Sequence, residues 1–147
     1  MSAGRLCKRV VATARPEESV WTAARRMTEY EVGSLVVLDT RGGEQAVGVV
    51  TDRDIVTRCI AASLDPLTTH LSAVMTAPVQ SISHRTPIED AITRMAKAST
   101  RRLVVTGDDH RVVGILSLDD VLDLLVDETA AIGRLLGGQK PHVPVFG

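Results

Sequence analysis

The sequence predicts a protein of the α/β (α+β) class, made of two copies of a β-α-β-β-α unit. Three observations lead to this class. The second half of the chain repeats the residue pattern of the first half at a spacing of 66 to 68 residues. Each half contains two continuous aliphatic runs rich in β-branched residues, which are typical of buried strands. Each half also contains apolar residues at helical spacing on either side of those runs.

The repeat is visible in two stretches that align without gaps. At a spacing of 68, residues 35–37 (LVV) align with residues 103–105 (LVV). At a spacing of 66, residues 47–48 (VG) align with residues 113–114 (VG). The spacing changes in a turn between two strands, where length variation is tolerated. The chain is therefore predicted to contain two copies of one unit.

The elements of each unit follow in the same order. In the first unit we predict a strand at residues 10–13 and a helix from residue 20. Two strands follow at 35–38 and 46–50, and a second helix begins at residue 51. In the second unit the matching strand is predicted at residues 79–82 and the matching helix from residue 88. The two further strands are predicted at 103–106 and 112–116, and the last helix from 117 to 136. The continuous apolar strands indicate sheets that helices cover.

The start of one helix and the boundaries of the units carry further signals. The stretch TPIE predicts Thr86 as N-cap, Pro87 at the first helical position and Glu89 closing a capping box. The Asp-Pro pair at 65–66 is typical of a connection. We predict a first repeat with a short N-terminal segment at residues 1–63 and a linker at 64–71. A second repeat with a long last helix follows at 72–136, and an extended or disordered tail at 137–147.

Composition restricts the class of function. Hydrophobic residues make up 44% of the chain and aromatic residues only 2%, so the core must be aliphatic. Seventeen basic and eighteen acidic residues give a net charge of −1. Nucleic-acid binding proteins usually carry a clear basic excess, so the balance argues against that class.

Cysteine and histidine placement restricts the kind of site. Cys7 and Cys59 form neither a disulfide framework nor a Cys/His cluster, and the four histidines are scattered, so we expect no metal site. No apolar run reaches the eighteen residues that a membrane span needs. The sequence therefore predicts a reduced, cytoplasmic protein without a membrane segment.

A hydroxyl residue precedes an aspartate by three positions where each unit's last strand meets its last helix: Thr51 and Asp54, then Ser117 and Asp120. This is the pattern of a capping box, which satisfies free N–H groups of the first turn and is worth about 1 kcal/mol. A functional interpretation uses the same geometry. A helix N-terminus binds phosphate, and a carboxylate can accept hydrogen bonds from both ribose hydroxyls. The two interpretations are compatible.

These residues carry a family resemblance. The stretches GVVTDRD (48–54) and GILSLDD (114–120), each closing a β-α-β-β-α unit, resemble the paired motifs of cystathionine β-synthase (CBS) domains. Two such domains in tandem would be a Bateman module, and the resemblance covers about residues 7–130. The second repeat is similar to the γ subunit of AMP-activated kinase. The first repeat is similar to stand-alone bacterial CBS-pair proteins.

The resemblance implies a fold and a function. It implies that the repeats pack about a pseudo-twofold axis through their sheets and leave two clefts. It implies a non-catalytic regulator that binds an adenine nucleotide (AMP, ADP or ATP) without a further cofactor, works as a homodimer and transmits ligand state to a partner protein. S-adenosylmethionine and NAD are alternative adenosyl ligands.

The resemblance also implies which residues form each cleft. The first cleft would combine Thr51 and Asp54 with a wall from the second repeat made of Thr86, Ala91, Thr100, Arg101 and Arg102. The second cleft would combine Ser117 and Asp120 with a wall from the first repeat made of Ala23, Val32, Gly33 and Ser34.

The two clefts are predicted to differ in charge. Arg101 and Arg102 match a basic pair that contacts phosphates in the kinase subunit, whereas the first repeat has Gly33 and Ser34 at the matching positions. Glu18 matches Thr86 and would repel a phosphate in the second cleft. Phosphate affinity is therefore expected to concentrate in the first cleft.

Two other classes of function remain as alternatives. One is a structural or interaction module whose clefts stay empty. The other is a small enzyme, although the sequence has no G-x-S-x-G nucleophile elbow and no histidine adjacent to Thr51 or Ser117 that could act as a base.

Overall fold

The computed structural model describes residues 1–137, so all but the first residue of the predicted tail lies outside the described residues. The chain contains six strands and five α-helices in this part. The first half comprises α1 (Ala3–Leu6), β1 (Thr13–Ala14), α2 (Val20–Tyr30), β2 (Ser34–Asp39), β3 (Gln45–Thr51) and α3 (Asp52–Asp54), which continues as a π-helix (Ile55–Ile60). The second half comprises a 3₁₀ turn (Leu71–Ala73), β4 (Ser81–Ser83), α4 (Ile88–Ala98), β5 (Arg102–Thr106), β6 (Val112–Ser117) and α5 (Leu118–Leu135).

The strands form two three-stranded sheets of identical topology. In each sheet the middle strand pairs in parallel with the first strand and antiparallel with the third. Val36 lies opposite Val49 in one sheet, and Val104 lies opposite Ile115 in the other. Each antiparallel pair shifts register at the corresponding place, after Val37 and after Val105. The α/β class and the doubled unit are confirmed, although β1 and β4 begin two to three residues later than predicted.

The first long helix of each unit buries one face. In α2 the buried residues are Val20, Ala23 and Met27, at the spacing that keeps side chains on one side of a helix. The Ser19 hydroxyl oxygen caps this helix by accepting a hydrogen bond from the Thr22 N–H at 3.1 Å. The matching face of α4 is buried in the same way.

The predicted capping box at α4 is wrong. Pro87, not Thr86, is the N-cap residue, and no side chain caps this helix. The chain's own first residues take that role instead. The Met1 carbonyl accepts a hydrogen bond from the Ile88 N–H at 3.1 Å, and the Thr86 carbonyl accepts one from the Ala3 N–H at 2.8 Å.

Each of the two hydrophobic cores contains a short segment that lies outside its own repeat in the sequence. Leu71 is the last residue of the predicted linker and Val74 follows it, yet both are fully buried in the core of the first sheet. Ala3 and Cys7 begin the chain, yet both are buried in the core of the second sheet. Each sheet is thus completed by the segment that precedes the other repeat. The predicted ranges 1–63 and 72–136 remain predictions of sequence units, because packing groups the residues differently.

Backbone hydrogen bonds hold the exchanged segments in place. Val49 and Thr76 donate to each other's carbonyls at 3.1 and 2.8 Å, and Lys8 and Ile115 do the same at 2.9 and 3.0 Å. A glycine precedes the sheet residue in each pair and permits the close approach. A β-carbon at Gly114 would lie only 2.7 Å from the Lys8 carbonyl oxygen.

The last helix, α5, leaves most of its apolar face uncovered. Of its residues only Asp120 and Val121 are buried. Leu122, Leu125 and Ile132 are each about half exposed, at 48%, 49% and 56%. Among residues 1–137, no helix combines the length and the apolar character that crossing a bilayer requires.

Candidate functional site

The predicted capping box of the first repeat is present. The Thr51 hydroxyl oxygen accepts a hydrogen bond from the Asp54 N–H at 3.1 Å, and Asp54 Oδ2 accepts one from the Thr51 N–H at 3.0 Å. The other carboxylate oxygen, Oδ1, faces the guanidinium of Arg58 at 3.8 Å. One oxygen of Asp54 therefore serves the helix, and the other points to a cation.

The second repeat builds the same arrangement with different partners. Ser117 and Asp120 form the reciprocal pair at 3.0 and 3.2 Å, and the Ser117 hydroxyl also donates to Asp120 Oδ2 at 2.7 Å. Asp120 Oδ1 lies 3.4 Å from the Lys8 ammonium. The cation comes from the exchanged N-terminal segment, whereas Arg58 lies one turn after its own aspartate.

The electrostatic surroundings keep Asp120 ionised. Burial alone would raise the pKa of this carboxyl, but the hydrogen bonds from the Ser117 hydroxyl and N–H, together with the charge of Lys8, outweigh burial and lower the pKa. The carboxylate is therefore a hydrogen-bond acceptor at neutral pH. Because the pKa is lowered on folding, this group stabilises the fold above its ordinary pKa and loses that contribution as the pH falls through its folded value.

The first cleft is a cavity of about 420 Å³ between the two repeats. This volume is in the range of ligand pockets. Four residues assigned to it from the sequence line it: Thr51 and Asp54 from the first repeat, and Thr100 and Arg102 from the second. Arg58 also lines it, as do Thr76 and residues 77–80, which lead into β4.

Three residues assigned to the first cleft do not line it. Ala91 has no exposed surface because it belongs to the core-facing side of α4. Thr86 precedes the N-terminus of α4, at the end opposite Thr100. The Arg101 guanidinium instead donates to Asp119 Oδ1 at 3.3 Å, on the exposed surface. Only one arginine of the predicted basic pair enters the cleft.

The second cleft is smaller, at about 240 Å³. Five of the six residues assigned to it line it: Ser117, Asp120, Val32, Gly33 and Ser34. The sixth residue, Ala23, is fully buried in the first core and cannot contact a ligand. Lys8 and Arg102, which the sequence did not place here, also line it, as do residues 10–12, Glu31, Ile115 and Asp119.

Glu18 does not face the second cleft, so that part of the predicted difference is wrong. Its two carboxylate oxygens accept hydrogen bonds from the Arg26 guanidinium, each at 2.8 Å. The hydrogen bond from Arg26 is the main cause that lowers the pKa of Glu18. This ion pair lines a separate cavity of about 460 Å³ beside β1.

The clefts nevertheless differ in charge for another reason. In the first cleft Arg58 and Arg102 contribute +2 and Asp54 contributes −1, which gives +1. In the second cleft the cations are again two, Lys8 and Arg102, but three acids line it, Glu31, Asp119 and Asp120, which gives −1. The first cleft is the better environment for an anionic ligand.

Two cations that line the clefts, Arg58 and Lys8, were not predicted from the sequence, for different reasons. Arg58 lies four residues after Asp54, on the same side of a helix, so helical spacing could have indicated it. Lys8 reaches Asp120 only because the N-terminal segment packs on the second sheet, and no local pattern signals that exchange. In the described part of the chain no group of three or more His, Cys, Asp or Glu side chains could hold a metal ion.

Comparison with known proteins decides the family. A family model described as CBS domain matches residues 3–60 and again residues 71–127. The chain belongs to the CBS-domain family. Its two CBS domains lie in tandem, as in a Bateman module. CBS pairs are in general regulatory, non-catalytic modules.

Relatives and solved structures agree with this assignment. The CBS domain-containing protein YhcV of Bacillus subtilis is 36% identical over 113 residues, which are 76% of each chain. This chain spans 62%, 68% and 63% of the length of relatives from Methanopyrus kandleri, Acidianus ambivalens and Methanocaldococcus jannaschii.

Two solved structures show the same fold. A CBS-domain protein from Burkholderia ambifaria has a TM-score of 0.77 at 22% identity, over 87% of this chain and 96% of that chain. The CBS domain pair of protein MJ0100, in complex with 5′-methylthioadenosine and S-adenosyl-L-methionine, has a TM-score of 0.76 at 23% identity, over 87% of this chain and 98% of that chain.

Proposed function

We propose that this CBS pair is a non-catalytic regulatory module that binds adenine nucleotides, or a related adenosyl ligand, in its two clefts and transmits the ligand state to a partner protein. One observation carries the proposal. In both clefts a helix N-terminus presents a hydroxyl and a carboxylate whose outer oxygen faces a cation, opposite a wall from the other repeat.

Each part of the ligand has a chemically suitable partner. The outer oxygens of Asp54 and Asp120, Oδ1, lie outside the capping hydrogen bonds and accept hydrogen bonds from ribose hydroxyls. The Arg102 guanidinium binds phosphate through charge-assisted hydrogen bonds, whereas Arg58 and Lys8, which each face an aspartate, add positive charge to their clefts. Segments 77–80 and 10–12, which are mainly apolar, offer backbone and side chains to a flat adenine ring.

The difference in net charge supports a different ligand preference for each cleft. The net positive first cleft favours AMP, ADP or ATP, whereas the net negative second cleft favours adenosyl ligands without phosphate. S-adenosylmethionine, which the MJ0100 pair binds, is such a ligand because its sulfonium is positively charged. The cytoplasmic location predicted from the reduced cysteines agrees with either ligand.

The test is ligand-induced stabilisation of purified protein. AMP at about 100 times its dissociation constant should stabilise the fold by about 2.7 kcal/mol. Asp54→Ala should remove most of that gain for AMP while costing the empty protein only the cap, about 1 kcal/mol. Asp123→Ala, on an exposed position of α5, is the matched control and should keep the full gain.

The alternative function is an interaction module with empty clefts. Its support is the uncovered apolar surface of α5 rather than any feature of the clefts. In that case no adenosyl ligand at millimolar concentration would raise the melting temperature of the wild type, of Asp54→Ala or of Asp123→Ala. Such a result would contradict the nucleotide-binding proposal.

We also propose that the module is a homodimer. Leu122, Leu125 and Val126 on α5 are 48–53% exposed, and Val56 and Ile60 on the π-helix are 58% and 55% exposed. A second copy that covers these helices would bury the apolar area, a favourable contribution of about 25 cal/mol per Å². Light scattering at micromolar concentration should give twice the chain mass. A monomer mass for the wild type, or the dimer mass for Leu125→Glu, would contradict this interface.

A further inference from the structure

Arg102 is the one side chain that lines both clefts in the described part of the chain. It is the first residue of β5 and lies directly opposite Ser117, the capping hydroxyl of the second cleft. Its matching residue in the first repeat, Ser34, lies opposite Thr51 but lines only the second cleft. The long arginine therefore has no counterpart across the two repeats.

Arg102 is also the lining cation that is free to bind a ligand. Lys8 faces Asp120 at 3.4 Å, and Arg58 faces Asp54 at 3.8 Å while donating to Thr76 Oγ1 at 3.2 Å. Within residues 1–137, no hydrogen bond or ion pair involves the Arg102 guanidinium. Its side chain is half-buried between the clefts. A phosphate in either cleft is the natural partner of this group.

We propose that the two clefts share Arg102, so that a phosphate-bearing ligand in one cleft weakens the binding of a phosphate-bearing ligand in the other. The inference rests on the proposed function, because it requires that both clefts bind adenosyl ligands. A guanidinium drawn to a phosphate on one side is lost to the other side. For the second cleft that loss changes the net charge of the lining from −1 to −2. The coupling is reciprocal, since it is a property of the doubly occupied state.

The experiment compares isolated clefts with the intact pair by calorimetry. Asp120→Ala leaves the first cleft intact, and Asp54→Ala leaves the second, so the two variants give the affinity of each cleft alone. In the wild type, the second AMP should bind about 5–150-fold more weakly than the isolated clefts predict. Adenosine has no phosphate, so its second binding step should match the isolated clefts.

Two further variants locate the coupling. Arg102→Ser places the residue of the first repeat at this position and should abolish the coupling for AMP. Arg111→Ser is the matched control: Arg111 pairs with Asp109 and neither residue lines a cleft, so this variant should keep the coupling. The comparison of AMP with adenosine needs only the wild type and the two aspartate variants, and so stands even if Arg102→Ser fails to fold.

Each other outcome overturns the inference in a distinct way. If the first bound ligand weakens the second equally for AMP and for adenosine, the coupling depends on the fold and not on Arg102. Independent or tighter binding of the second AMP would show that Arg102 serves both phosphates. Binding of AMP in one cleft only would remove the premise. If neither AMP nor adenosine binds the wild type, the proposed function itself fails.

Discussion

Replacing Leu71 with alanine is expected to lower the free energy of unfolding by about 2–5 kcal/mol. Leu71 is the last residue of the predicted linker, but its side chain is fully buried in the core of the first sheet. The substitution leaves a cavity there, and neighbours such as Val74 are held by their own backbone hydrogen bonds and can collapse only in part. Urea unfolding followed by circular dichroism measures the change.

The matched control is Leu67→Ala, in the same connecting stretch. Leu67 is 62% exposed, so its loss should change stability by no more than about 0.5 kcal/mol. If the two variants lose the same small amount, the segment after the linker is not part of the first core, and the exchange of segments is wrong.

Gly114→Ala is expected to destabilise the protein by about 1–3 kcal/mol through overpacking. The new β-carbon would lie 2.5 Å from Cys7 Sγ and 2.7 Å from the Lys8 carbonyl oxygen. The cysteine side chain can rotate, but the carbonyl is fixed because Lys8 and Ile115 exchange two backbone hydrogen bonds. The N-terminal segment must therefore move away from β6. The midpoint of denaturant unfolding reports this loss.

Gly42→Ala provides the comparison for Gly114→Ala. Gly42 lies in the turn between β2 and β3, and no atom comes within 4 Å of a β-carbon placed there. Its replacement should be close to neutral. Equal stability of the two alanine variants would mean that the first residues of the chain do not pack against the second sheet.

The sequence predicted the repeated unit well because its signals are local. Runs such as residues 35–37 and 103–105 are continuous and aliphatic, and they became the middle strands of the two sheets. The capping boxes are equally local, since a hydroxyl and an aspartate three residues apart meet across one helical turn. Predictions of this kind need no knowledge of which distant segments come together.

The errors at the site have a physical explanation. Ala23 and Ala91 repeat at core-facing helical positions, so their own periodicity already indicated burial rather than ligand contact. Arg101 and Arg102 are neighbours where a strand begins, and consecutive side chains along a strand point to opposite faces. Only one of them could enter a given cleft. Lys8 could not have been placed, because its position depends on long-range packing of the chain terminus.

An amide nuclear magnetic resonance titration of the ¹⁵N-labelled protein with AMP shows at which residues an adenosyl ligand binds. The amide protons of Asp54 and Asp120 each donate to a capping hydroxyl that lines a cleft, so a bound ribose must perturb them. We predict saturable shifts centred on Asp54 and its cleft, with weaker shifts at Asp120. No shifts at millimolar AMP, or shifts confined to the cavity beside Glu18, would contradict the account.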